Sequence, residues 1–307
     1  WTSCSPDFGT KGIIDRIGQT KPKVLFTTSN YIYNSKEHDF SSRVSEVVSS
    51  LKNLVSVIIV DEVNINKIEV DYNYTLFKDF GEKSKLKFIK FPFSHPSYIL
   101  YTSGTTGAPK AIVHSTGGVI LQHFKEHKLH NDLRFNDRIM WYTNIAWMMY
   151  HWVVSSLGCN ATLVLYDGVP ITKKNNNFDG SLLWKVADKE KLTHLGISPK
   201  YISTLEDINE NPINKYNINS LRWLLAAGSP VAPSQFDWIY KNIKKDIGFA
   251  SISGGSEVLA CFMLGSPLHP VRRGELTVKG LGMSVEIFNS ENESVIGEPG
   301  DLVCTEP

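Results

Sequence analysis

The chain has 307 residues, 42% of them hydrophobic, with 32 basic residues against 31 acidic and a formal net charge of +1. This length and balance allow a sizeable core in one large domain or two to three smaller units, and they exclude intrinsic disorder and the small disulfide scaffold. Near-zero net charge gives no general attraction to nucleic acid or to an anionic membrane surface, so binding must be local.

The chain opens on Trp1, with no basic, apolar and small-residue succession of the signal-peptide kind, and an upstream start is expected. Cys4, Cys159, Cys261 and Cys304 are widely separated, at neither metal-knuckle nor redox spacing, which predicts buried thiols in a reducing compartment, most simply the cytosol. Apolar runs at 24–28, 55–60, 98–102, 162–165 and 223–227 predict short strands covered on both faces. Between them, Val44, Val47, Val48 and Leu51 repeat at helical spacing behind Ser41 or Ser42 as cap, and 181–189, 199–208 and 234–242 follow the same pattern. The alternation predicts an α/β protein with two layered subdomains and largely parallel sheets. Prolines in 91–96 suggest the boundary between residues 1–93 and a second α/β subdomain at 94–272. From 273 to 307, short strands at 275–278, 284–288 and 301–304 between glycines predict the start of a small β-rich, barrel-like unit. The most apolar region, 139–166, is broken by Asn144, His151, Gly158 and Asn160 and reads as core rather than a membrane span. Asparagine-rich 173–177 and 209–219 read as solvated loops.

The segment Tyr101, Thr102, Ser103, Gly104, Thr105, Thr106, Gly107, Ala108, Pro109, Lys110 carries the chemistry. Directly after a predicted strand it joins glycines that bring backbone amides to an anion, hydroxyls that donate to phosphate oxygens, and a lysine. It is not a Walker A loop, whose glycines are spaced more widely and followed by Gly-Lys-Ser/Thr. Ser115, Thr116, Gly117 and Gly118 then open a helical pattern over 119–133. On that pattern His123, His127 and His130 share one face, but with no carboxylate or cysteine partner they read as packed or capping, as does His194.

The loop resembles the signature of the adenylate-forming superfamily of acyl-CoA synthetases, luciferases and peptide-synthetase adenylation domains. Further segments agree with the resemblance. Leu225, Ala226, Ala227, Gly228, Ser229, Pro230 is similar to the family's adenine-side turn, Ser253, Gly254, Gly255, Ser256, Glu257 to its aromatic-Gly-x-Thr-Glu motif, and Gly297, Glu298, Pro299, Gly300, Asp301, Leu302 to its Gly-x-x-Gly-Glu-Leu turn with Asp301 for Glu. The stretches 1–9, 147–152 with 165–168, and 273–276 with 280–283 most resemble members that activate acetoacetate. The resemblance implies ATP, Mg²⁺ and CoA as cofactor and co-substrates, catalytic roles for Thr102, Lys110 and Glu257, and a metal role for Glu257, which alone reads equally as a surface carboxylate. Ser103 to Gly107, Gly228 to Pro230 and Ser253 to Ser256 would line the nucleotide.

The implied acid pocket is walled by Trp147, Met148 and Met149, whose methionines read equally as core. Gly254 stands where acetate-activating members carry a tryptophan, which would leave room for a four-carbon acid. Acetate, propionate and butyrate remain alternatives to acetoacetate, and a non-catalytic nucleotide-binding fragment is a third reading. The family's ribose-binding Thr-Gly-Asp motif and mobile C-terminal lysine domain are not found, so these residues alone are expected to turn over slowly or not at all. No serine, cysteine and histidine constellation suggests a covalent nucleophile, and the resemblance requires none.

Overall fold

The computed structural model describes residues 1–61, 67–68, 73–102, 107–175 and 177–306. They fall into two compact units, the first comprising Trp1–Gly118 and Asn144–Trp147, the second Val119–Thr143 and Met148–Pro307. Among the described residues no helix is long and apolar enough to cross a membrane.

The first unit begins with α1 (Thr10–Ile17), β1 (Val24–Thr27), the hairpin β2 (Asn30–Tyr33) and β3 (Lys36–Asp39), α2 (Ser41–Ser50), β4 (Ser56–Ile59) and β5 (Tyr74–Leu76). The strands β1, β4 and β5 make a parallel sheet in the order β1-β4-β5. The repeat in α2 serves two surfaces. Val44 and Val48 pack with Val57 and Ile59 of the sheet, while Val47 and Leu51 pack with Ile17 and the neighbouring Ile13 and Ile14 of α1. Each such side chain contributes on the order of 1.5–3 kcal/mol relative to exposure. Two expectations change here. The cap of α2 is Asp39, whose Oδ1 accepts from the Ser41 amide at 3.0 Å and the Ser41 hydroxyl at 2.6 Å, rather than Ser41 or Ser42. And β1 is covered on one face only, since Val24 and Phe26 are 45% and 39% exposed, as befits an edge strand.

The same unit ends in β6 (Pro96–Thr102), β7 (Lys110–Ser115) and the start of α3 (Thr116–Lys125). The predicted strand at 98–102 is β6, but it belongs to a two-stranded antiparallel ribbon with β7, not to a doubly covered parallel sheet. Ala111, Ile112 and Val113 return alongside Tyr101, Leu100 and Ile99, and the β-branched Ile112 and Val113 favour a pleated partner. The helix therefore follows a strand and not the glycine loop itself. Along the other side of β6 lies the N-terminal segment: the Trp1 carbonyl accepts from the Ile99 amide at 2.8 Å, the Trp1 ammonium donates to the Ser97 carbonyl at 2.9 Å, and Thr2 Oγ1 donates to the Ile99 carbonyl.

In the second unit α3 ends at Lys125 and passes into a single π turn over Glu126–His130, closed by the Asn131 amide on the Glu126 carbonyl. The helix predicted over 119–133 thus stops three residues short, with Asn131 as C-cap and Asp132 at a positive φ. Next come β8 (Arg138–Trp141), α4 (Met148–Val154), β9 (Thr162–Leu163), the small hairpin β10 (Thr172–Lys174) and β11 (Asn177–Asp179), α5 (Leu182–Lys189), β12 (His194–Ile197), α6 (Pro199–Asp207), α7 (Pro212–Lys215), β13 (Trp223–Ala226), α8 (Pro233–Asn242) and β14 (Gly248–Ser251).

Five of these strands form an all-parallel sheet, β14-β13-β12-β8-β9. Strand periodicity sorts its side chains. Met140, Leu224, Ala226 and Phe249 join Leu183, Trp184, Tyr201, Ile202, Phe236 and Ile239 of α5, α6 and α8 on one face. Ile139, Trp141, Trp223, Leu225 and Ala250 join Trp152, Val153 and Cys261 on the other. A Cβ on Gly196 would lie 2.1 Å from the Trp141 ring, so the glycine in β12 makes room for that indole.

The chain then turns antiparallel in β15 (Ser253–Gly255), β16 (Ala260–Leu264) and β17 (Val278–Lys279), followed by the pair β18 (Val285–Phe288) and β19 (Asp301–Cys304). The strand expected at 275–278 begins only at Val278, because the preceding residues turn through Gly274 at φ 79°. Among the described residues no closed barrel forms. Cys159 and Cys261 are buried as expected, whereas Cys4 and Cys304 are half-buried, and all four are free.

Candidate functional site

Thr102 and Lys110, on either side of the glycine- and threonine-rich segment, are the last cross-strand pair of the β6-β7 ribbon. Ser103, Gly104, Thr105 and Thr106 lie outside the described residues. Of the flanking positions, Thr102 is half-buried and Lys110 exposed, and among the described residues Lys110 makes no ion pair. Open space surrounds the Cβ direction of Gly107, whose φ of 159° is one that residues with a side chain rarely adopt. The far end of the loop is tied down by Gln19, whose Nε2 donates to the Pro109 carbonyl at 2.8 Å. An exposed ammonium without an ion pair, at the end of a ribbon, suits an anion.

Gly228, Ser229, Pro230 and the segment Ser253 to Glu257 belong to the second unit. The parallel sheet brings them together. Ala226 of β13 pairs with Ser251 of β14 at the C-terminal end of both strands, and the Ile252 amide continues the ladder onto the Ala226 carbonyl at 2.8 Å. The turn through Gly228, at φ 106°, and the hairpin from Ser253 therefore leave the same edge. That edge is where open parallel α/β sheets take their ligands. A Cβ on Gly228 would meet nothing within 4 Å, so the glycine answers to the left-handed backbone and leaves the turn flat and exposed.

In the hairpin, Glu257 is exposed and its Oε2 lies 2.8 Å from where a Cβ on Gly255 would be, so the carboxylate folds back over that glycine. Among the described residues it has no ion-pair partner, and no three His, Cys, Asp or Glu residues are grouped as a metal cage. One uncommitted carboxylate fits Mg²⁺, which keeps most of its waters and borrows few protein ligands.

Gly254, expected to leave room for the acid, is closely packed in its side-chain direction. A Cβ there would lie 2.2 Å from the Ala260 carbonyl oxygen and 2.9 Å from the Cys261 Cα, at a register shift between Ser253 and Gly254. The glycine is required by backbone approach across β15 and β16. Met148 and Met149, at the start of α4, pack against the cluster containing Trp152 and Cys261. Trp147 belongs to the first unit and is 60% exposed.

The histidines are packing groups. His123 Nε2 meets the Leu259 carbonyl at 2.7 Å, His127 Nε2 the Trp152 carbonyl at 2.8 Å, and His194 Nε2 the Asn131 carbonyl at 2.8 Å. His130 bridges two segments: its Nδ1 bonds the Gly265 carbonyl and its Nε2 accepts from the Leu281 amide. Burial holds His127 down to about 3 and His194 down to about 4, so both are neutral imidazoles.

One residue that the sequence reading did not single out is Glu126, fully buried at the start of the π turn. Its Oε2 accepts from the Trp152 indole at 2.7 Å and from the Cys261 thiol at 3.3 Å, its Oε1 from the Cys261 amide at 2.9 Å, and the Lys125 ammonium lies 3.7 Å from Oε1. Burial pushes this carboxyl up, and the Cys261 amide, the ammonium and the indole draw it back. Its sequence signal was a lone acid on a helix face otherwise occupied by buried histidines.

Glycine-led turns at the C-terminal edge of a parallel sheet, with an uncommitted carboxylate on one of them, are features of a nucleotide-handling α/β protein. The AMP-binding enzyme family matches residues 2–307, and the chain belongs to that family. It is 40% identical over 320 residues to an acetoacetyl-CoA synthetase of Danio rerio, covering 100% of this chain and 46% of the relative. It is 43% identical over 311 residues to an acetoacetyl-coenzyme A synthetase of Rhizobium meliloti (strain 1021), covering 99% and 47%. The solved acetoacetyl-CoA synthetase from Streptomyces lividans superposes with a TM-score of 0.91 at 35% identity, covering 100% of this chain and 47% of that one. The chain thus spans about half the length of the curated relatives it matches.

Proposed function

We propose that this chain carries the adenylate-forming site of an AMP-forming acid–thiol ligase whose acid is acetoacetate. The observation that carries this reading is the shared edge of β13 and β14, which presents the Gly228 turn and the Ser253 to Glu257 hairpin side by side. The names of the relatives support acetoacetate as the acid.

In this reaction a carboxylate oxygen of acetoacetate attacks the α-phosphorus of ATP, a P–O bond forms, the α–β anhydride breaks and diphosphate leaves. The thiolate of CoA then attacks the acyl carbon, forming the thioester and releasing AMP. Two anions must meet, so the barrier is lowered by neutralisation and alignment rather than by a side-chain nucleophile. Thr102 and Lys110, with Ser103 to Gly107, are assigned to the phosphates; Gly228, Ser229 and Pro230 admit the flat base; Ser253, Gly254, Gly255 and Ser256 line the nucleotide. Glu257 would hold Mg²⁺, which when bound offsets the phosphate charge. Met148, Met149 and Trp147 are assigned to the acid. Four free, separated cysteines fit a cytosolic setting.

The test is AMP release by the product of the complete reading frame containing these residues, with Mg-ATP, CoA and each of acetoacetate, acetate, propionate and butyrate. Preference for acetoacetate supports the reading. Preference for another acid moves the substrate and keeps the chemistry, and nucleotide binding without acid-dependent AMP release overturns the enzyme assignment.

A further inference from the structure

Glu126 is 0% exposed and sits among apolar side chains, the Trp152 and Cys261 cluster on one face of the sheet. An ionised carboxylate there is costly unless donors surround it, and breaking such an arrangement is more damaging than never having had it. Here the donors come from two separate elements. Trp152 lies in α4, the helix that begins with Met148 and Met149. Cys261 lies in β16, and its residue pairs across the hairpin with Gly254. The carboxylate also emerges where α3 widens into a π turn, an irregularity that turns a side chain inward and is frequent at functional sites.

We propose that Glu126 is a positioning residue for the acyl side of the site: it holds the Met148–Met149 end of α4 at a fixed distance from the Gly254 to Glu257 hairpin by bonding the Trp152 indole with one oxygen and the Cys261 amide with the other. Neighbouring contacts brace the arrangement. A Cβ on Gly280 would lie 2.9 Å from the Cys261 carbonyl and 3.5 Å from Lys125 Nζ, and Gln122 Nε2 lies 3.2 Å from Met283 Sδ. Glu126 touches no substrate in this arrangement and acts through the two elements it joins. The inference rests on the adenylate-site reading above.

The test compares binding of AMP with binding of butyl-AMP, in which an alkyl chain on the phosphate stands in for the acyl group, by titration calorimetry on this chain. Wild type is expected to prefer butyl-AMP. Glu126→Gln keeps the shape but places an amide N–H₂ against one of the two N–H donors, and it should reduce that preference about tenfold while AMP affinity stays within about twofold. Trp152→Phe deletes the indole N–H and keeps an aromatic ring; it should reduce the preference similarly, and the two changes together should add little. Glu126→Asp, which retains the carboxylate, should recover part of the preference. Parallel loss of AMP and butyl-AMP affinity following the melting temperature would reduce Glu126 to a stability role and overturn the proposal. An unchanged preference would overturn it as well. If wild type binds neither ligand, the nucleotide reading fails and the inference with it; if it binds both equally, the acyl assignment fails and the nucleotide site stands.

Discussion

Ala226 and Ser251 face each other at the last paired position of β13 and β14, so the Gly228 turn and the Glu257 hairpin start from one edge of the sheet. The backbone of Gly228, at φ 106°, is costly for any residue with a Cβ, although the space around it is open. Gly228→Ala is therefore expected to lower stability by about 1–2 kcal/mol through strain alone, seen in a denaturant midpoint, and to weaken nucleotide binding. Gly107 is a second such position: at φ 159° a side chain is strained although nothing lies within 4 Å of its Cβ direction, so Gly107→Ala is expected to cost about 1 kcal/mol and to weaken ATP binding.

Gly254 separates two explanations of a small residue. With a Cβ position 2.2 Å from the Ala260 carbonyl oxygen, Gly254→Ala should destabilise by about 1–3 kcal/mol in thermal unfolding. A wild-type melting temperature together with a narrowed acid range would show instead that the position is free space at the acid.

His127 and His194 make stability depend on pH with a definite sign. Their folded values, about 3 and about 4, lie below the ordinary 6.5, so the unfolded chain binds protons first as pH falls. Their contribution is complete above pH 6.5 and is lost progressively on acidification, with a slope of roughly 1.4 kcal/mol per pH unit for each histidine while it remains neutral in the folded state. Denaturation midpoints between pH 7 and pH 5 should fall with that sign. His194→Asn, which retains a polar side chain, should flatten the slope by about half; an unchanged slope would place the acid sensitivity in other groups.

Much of this was legible in the sequence because it rests on local pattern. Val44, Val47, Val48 and Leu51 gave α2, and the apolar run at Trp223 gave a strand buried on both faces. The Gly228 and Glu257 segments could be named before their neighbourhood was known, since glycine-led turns leave a composition trace. What stayed hidden depends on distant partners. Asp39 caps α2 from the end of a hairpin, Trp1 and Thr2 lie along β6 nearly a hundred residues away, and Glu126 acquires its role only when Trp152 and Cys261 converge on it. Gly254 was read as an absent side chain, whereas the β15–β16 register makes it a close backbone approach.

Glu257 is exposed and carries no ion pair among the described residues, so Glu257→Gln should leave the melting temperature within about a degree or two. Its effect should appear in function. Acid-dependent AMP release is expected to fall about 100-fold, with a higher Mg²⁺ concentration needed for half-maximal rate. A Mg²⁺ dependence identical to wild type would remove Glu257 from the metal assignment.

The adenylate step is tested most directly by exchange of labelled diphosphate into ATP, with Mg²⁺ and without CoA, on the product of the complete reading frame. Reversible formation of an acyl-adenylate predicts exchange that requires acetoacetate, proceeds without thiol and is abolished by Lys110→Ala. Exchange that is absent with every acid, while ATP still binds, would contradict the adenylate chemistry.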